Sequence, residues 1–132
     1  MSVRTIVVGT DQSETATRAV GWAVDMARRY EAQLVVVQVG GDGATLERYV
    51  AEVAPGARAR AVDGEDPAAA IVEAAEAEKA DVLVVGNLGM SGRREFLLGN
   101  IPNRVSHSAR CTVVIVNTAD PVRTSKLPWR KK

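Results

Sequence analysis

The sequence predicts one α/β domain built on a parallel sheet with helices on both faces. Three observations carry that prediction. Short β-branched runs alternate four times with helix-period segments, the pattern of repeated strand–helix units. The runs are apolar on successive positions instead of alternate ones, which suits strands buried on both sides. Finally, 132 residues with 46% hydrophobic and 25% charged content suit one globular core.

The first run, Thr5 to Gly9, reads as a buried strand. A polar segment follows, in which Asp11 with Glu14 has capping-box spacing and Ser13 is an alternative N-cap. Ala16, Ala19, Val20, Ala23, Val24 and Ala27 then recur at three- and four-residue steps, predicting a helix to about Tyr30. Gln33 to Val39 is a second strand, closed by Gly40-Gly41-Asp42-Gly43. A short helix is expected from Thr45 to Val53, and Ala57 to Val62, with Arg58 and Arg60 alternating, reads as an edge strand.

Asp66-Pro67 starts the next helix: the Asp caps free N–H groups and the Pro supplies a helical φ while lacking a donor. That helix runs to about Lys79, the fourth strand spans Asp81 to Val85, a helix covers about Ile101 to Ser108, and Cys111 to Val116 is the fifth strand. Thr118 to Lys132 holds two prolines, no periodicity, and five basic residues against one acid. It reads as a basic tail or linker, which gives a domain over residues 1–117 and a tail over 118–132.

Composition excludes several functions. Seventeen Lys+Arg against sixteen Asp+Glu give a net charge of +1, so no electrostatic argument points to nucleic acid or a membrane. One Cys and one His exclude an internal disulfide and argue against structural zinc. No apolar run approaches the roughly 20 residues of a membrane span, and the expected compartment is a reducing cytoplasm. His107, with no second His, makes no triad, and Cys111 reads as a small apolar residue. Neither G-x-G-x-x-G after the first strand nor a P-loop is present.

In a doubly wound sheet, ligands sit beyond the carboxyl ends of the strands where strand order reverses. Strands one and four both end in glycine, at Gly9 and Gly86. The segment from Gly86 carries Gly89 and Gly99, and Gly99-Asn100 opens a helix. Glycines allow backbone N–H groups close approach to an anion, and a helix N-terminus favours a phosphate.

Val7-Val8-Gly9-Thr10-Asp11-Gln12-Ser13 together with Gly86-x2-Gly89-x9-Gly99 resembles the universal stress protein family over roughly Thr5 to Val116. The stretch from Lys79 to Asn87, with Leu97-Leu98-Gly99 and Val105-Ser106, is similar to an actinobacterial subgroup that includes cyclic-AMP binders. The resemblance implies a five-stranded parallel sheet of order 3-2-1-4-5. It implies a cytoplasmic stress-response protein that binds ATP or another adenine nucleotide, cyclic AMP included, and senses or buffers. Enzymatic activity is not expected beyond slow ATP hydrolysis, and Mg²⁺ only with a triphosphate.

Carried onto this chain, the resemblance puts Thr10, Asp11 and the backbone near Val39 at adenine. It puts Val85, Gly86, Gly89, Gly99, Asn100 and Ile101 at ribose and phosphates. Nucleotide-binding members follow the last glycine with Ser or Thr, whereas Asn100 stands here, without that hydroxyl. The resemblance also implies a homodimer through the last strand, Thr112 to Asn117. The alternative reading is a homodimeric interaction module with a vestigial nucleotide site.

Overall fold

The computed structural model describes residues 2–87 and 100–118. Within them the order of elements is β1 (Thr5–Gly9), α1 (Glu14–Tyr30), β2 (Gln33–Val39), α2 (Gly43–Val53), β3 (Arg58–Val62), α3 (Pro67–Ala77), β4 (Val82–Gly86), α4 (Asn100–Ser108) and β5 (Thr112–Val116). The five strands form one sheet of order β3-β2-β1-β4-β5, and every neighbouring pair is parallel. The predicted fold class and strand order both hold.

Alternation along the buried strands builds two cores. Ile6, Val8, Leu34, Val36, Val82 and Val84 face α1 and α2, meeting Ala19, Val20, Ala23, Leu46 and Val50. Val7, Val35, Val37 and Leu83 face the other way, onto Ile71, Ala74 and Ala75 of α3 and Ile101 and Val105 of α4. Small residues at three- and four-residue steps let α1 lie close over the sheet. The central strands are therefore apolar on successive positions, as at Ile6 to Val8, Leu34 to Val37 and Val82 to Val85, because each side chain there enters one core or is buried at the sheet's end.

The capping alternatives resolve in favour of Ser13, whose hydroxyl accepts from the Ala16 amide at 3.2 Å. Asp11 closes an Asx turn one step earlier, accepting from the Ser13 amide at 2.9 Å. Helix α2 starts at Gly43, two residues before the expected Thr45, because Asp42 accepts from the Thr45 amide and caps it there. Asp66 caps α3 with Pro67 in its first turn, as read from the sequence. Strand β3 is an edge strand; Arg58 and Arg60 both reach Glu78, at 2.8 and 2.6 Å.

Asp81 ties the start of β4 to β1, its carboxylate accepting from the amides of Arg4 and Thr5 at 2.8 and 3.1 Å. Those two backbone donors hold its pKa below the ordinary carboxylate value. Thr118, assigned to the tail from composition, is instead buried against the domain. Residues 119–132, the remainder of that tail, lie outside the described residues.

Candidate functional site

The sheet places its reversal of strand order where the two terminal glycines predicted it. β1 pairs with β2 on one side and β4 on the other, with Val8 opposite both Val36 and Val84. The loops that leave Gly9 and Gly86 therefore start side by side at the carboxyl edge of the sheet. α4 begins at Asn100 at this site, and Ile101 in its first turn is buried in the second core. Val39, half-buried at the end of β2, packs on that same core. Val85 is buried and Gly86 ends its strand. Thr10, Asp11, Val39, Val85, Gly86, Asn100 and Ile101 are thus brought to one edge of the sheet. Gly89 and Gly99 lie outside the described residues, as do Arg93 and Arg94.

The loop after β1 is held rigidly. Thr10 is fully buried, and its amide continues the ladder to the Val37 carbonyl at 2.9 Å. Its hydroxyl accepts from the Gln12 amide at 2.9 Å and lies 3.2 Å from the Tyr49 hydroxyl on α2. Gln12 stands in the left-handed region, at φ 68°. An L-residue there costs roughly 1 kcal/mol, and two bonds hold it: the amide to Thr10, and the side-chain Nε2 donating to Gln38 Oε1 at 2.8 Å.

Gln38 in turn lies over Gly41, where an added Cβ would fall 2.7 Å from Gln38 Nε2. Gly41 also has φ +81°, so two constraints favour glycine there. Sequence reasoning missed Tyr49, Gln12 and Gln38 as supports. For Gln38 a signal existed: it is the one polar interruption in the apolar run from Leu34 to Val39.

Asp11 is half-buried in this loop. Burial pushes its carboxyl pKa up, and hydrogen bonds from the Ser13 side chain and backbone pull against that. No cation is paired with it among the described residues. A desolvated carboxylate held on one side by Ser13 is suited to accept from N–H groups of a ligand rather than to bind a strong cation.

At the other wall, β4 leaves the sheet under close restraint. The Asn87 amide donates to the Val116 carbonyl at 2.8 Å. Asn87 Oδ1 accepts from both the amide and the hydroxyl of Thr118, at 2.9 and 3.1 Å. The Thr118 carbonyl accepts from Arg18 Nη1 of α1 at 2.8 Å. A Cβ on Gly86 would stand 3.1 Å from Thr118 Cγ2 and 3.7 Å from Ala19 Cβ. That close approach favours glycine at Gly86. The role of Thr118 was invisible in the sequence, where it opens a segment with tail composition.

No helix among the described residues is long and apolar enough to cross a membrane. The sequence profile of the universal stress protein family matches residues 2–63 and 41–117. A universal stress protein of Mycobacterium tuberculosis is 34% identical over 87% of this chain and 97% of its own length. A solved universal stress protein in complex with cyclic AMP is 36% identical and superposes with a TM-score of 0.74, covering 90% of this chain and all of that one. A universal stress protein from Archaeoglobus fulgidus in complex with dAMP is 25% identical, with a TM-score of 0.65 over 89% of this chain and all of that one. Glycine-ended neighbouring strands, the Asx-turned Asp11 and these matches lead to one assignment: the chain belongs to the universal stress protein family.

Proposed function

We propose that this protein binds an adenine nucleotide, ATP or cyclic AMP, at the carboxyl edge of β1 and β4, and senses or buffers it without catalysing its conversion. Thr10, Asp11 and the Val39 backbone receive adenine. Val85, Gly86, Gly89, Gly99, Asn100 and Ile101 receive ribose and phosphates. The observation that carries the reading is the half-buried Asp11, with no paired cation among the described residues, at the point where strand order reverses. A carboxylate there accepts from the exocyclic amine of adenine, which offsets the desolvation that raises its pKa. Support comes also from two family members solved with cyclic AMP and with dAMP.

Cyclic AMP suits this chain better than a triphosphate, because Asn100 stands where a hydroxyl follows the last glycine in nucleotide-binding relatives. Mg²⁺ enters only with a triphosphate. The working form in this reading is a cytoplasmic homodimer paired through Thr112 to Asn117, serving a stress response. The open edge of β5, where Ile115 is 44% exposed, supports that pairing. The α/β domain extends to residue 117, with Thr118 as the anchored first residue of the basic tail.

Thermal unfolding with ATP, ADP, AMP and cyclic AMP, each near millimolar, tests the proposal. A ligand at 100 times its Kd stabilises by roughly 2.7 kcal/mol, enough for a rise of several degrees in a domain of this size. The expected result is a shift with at least one nucleotide, largest for cyclic AMP. No shift with any of the four rejects nucleotide binding and leaves the interaction module.

A further inference from the structure

The end of β4 is tied to Thr118, two residues beyond the end of β5. Two segments far apart in sequence converge on Thr118: Gly86-Asn87 at the end of β4, and Arg18 on α1. Both donors of Thr118, amide and hydroxyl, are spent on Asn87 Oδ1, and its carbonyl is taken by Arg18. Its methyl lies against Gly86. Every polar group of Thr118 is therefore committed, and the residue is 1% exposed. Asn87 itself is exposed, and its side chain is oriented by these bonds together with a longer one from its Nδ2 to Asn117 Oδ1 at 3.4 Å. The Asn87 amide is bound to Val116, which fixes the backbone on the other side.

From this geometry we propose that Thr118, backed by Arg18, is a positioning residue for the nucleotide site. The tie sets where Gly86 and the Asn87 backbone stand, so occupancy of the site and integrity of the tie are coupled. The inference rests on the nucleotide-binding reading above. Binding that needs Gly86 and Asn87 in one place favours the tied state. By linkage, the factor by which the tie strengthens ligand binding is the factor by which bound ligand strengthens the tie.

The test is calorimetric titration of cyclic AMP into the full chain, as wild type and as the Thr118→Val, Thr118→Ser and Arg18→Met variants, with amide hydrogen exchange of the wild type, free and saturated. Thr118→Val removes one bond to Asn87 and is expected to weaken binding about fivefold, the worth of one net hydrogen bond. Arg18→Met weakens it in the same direction. Thr118→Ser keeps the hydroxyl and recovers most of the affinity. Cyclic AMP slows exchange of the Thr118 amide in the wild type by more than it slows the core amides of β1 and β2, an excess that global stabilisation by a ligand does not produce.

Affinity within twofold of wild type in both Thr118→Val and Arg18→Met overturns the inference while leaving nucleotide binding intact. Thr118 exchange slowed no more than that of the core amides on saturation overturns the coupling. Absence of wild-type binding removes the nucleotide reading and this inference together. If Thr118→Val does not fold, Arg18→Met and the exchange measurement decide.

Discussion

Placing a methyl group on Gly86 puts the cross-tie at the end of β4 under direct test. Gly86→Ala has no backbone obstacle, since the residue lies in a strand, and removing glycine from the unfolded ensemble favours folding by about 0.4–1 kcal/mol. Against that, the new Cβ stands 3.1 Å from Thr118 Cγ2, closer than carbon atoms settle. Thr118 cannot retreat without breaking bonds to Asn87 and Arg18. Overpacking against a fixed neighbour costs roughly 1–3 kcal/mol, so the variant is expected to lose about 1 kcal/mol net. In urea that lowers the midpoint by about 0.5–1 M.

The companion change is Thr118→Ser, which deletes the obstructing methyl and keeps the hydroxyl for Asn87. Alone it costs about 1 kcal/mol for the lost methyl. In the double variant the alanine methyl occupies the space vacated by Cγ2. The combined loss should fall short of the sum by about 1–2 kcal/mol, a coupling well above the error of a double-mutant cycle. Additive losses, or a Gly86→Ala variant more stable than wild type, would show that Thr118 yields freely and that the tie is not rigid.

Three further predictions follow from the geometry. Asp11 has a raised pKa from burial, so its ionised form lowers stability at neutral pH, and that penalty is relieved as pH falls through the raised folded value. Asp11→Asn should therefore leave the free protein at least as stable in urea at pH 7 while weakening cyclic AMP about tenfold or more; weaker folding with intact binding would contradict the assignment. Glu78 has a lowered pKa, held down first by Arg58 and then by Arg60, so its contribution is present above the ordinary glutamate range and lost as pH falls through the lowered folded value. Glu78→Gln should flatten the acid limb of a stability–pH profile, and an unaltered limb would contradict it. Ile115→Lys on the open edge of β5 should convert the proposed dimer to monomer by sedimentation without changing nucleotide affinity; a wild type already monomeric at micromolar concentration would remove that proposal.

The sheet was legible in the sequence because burial on both faces leaves an unbroken signal, as in Leu34 to Val37, with every position apolar. Helix starts were legible where chemistry marks them, as at Asp66-Pro67. Where two capping residues stood two positions apart, Asp11 and Ser13, spacing could not choose. The choice depends on the left-handed turn at Gln12, and a glutamine does not advertise that conformation. The glycines at the ends of β1 and β4 located the crevice, since a strand-ending glycine is a local feature. What held the crevice in shape was not local. Tyr49 reaches Thr10 and Thr17 across 39 and 32 residues, and Thr118 reaches Asn87 across 31. Contacts of that separation leave no periodicity, and a composition rich in Lys and Pro pointed away from Thr118.

The two edges of the sheet are treated differently. At β3, both arginines lean across to Glu78, whose side chain is only 9% exposed, so charge is pinned along that rim and another strand adding there would have to displace it. β5 carries no such guard; its residues are Thr, Val, Val, Ile and Val. A slab with one blocked rim and one adhesive rim cannot polymerise by adding strands at both ends. Two copies that join rim to rim through β5 consume the adhesive rim of each sheet, and leave guarded rims outward. Growth by strand addition then stops at two.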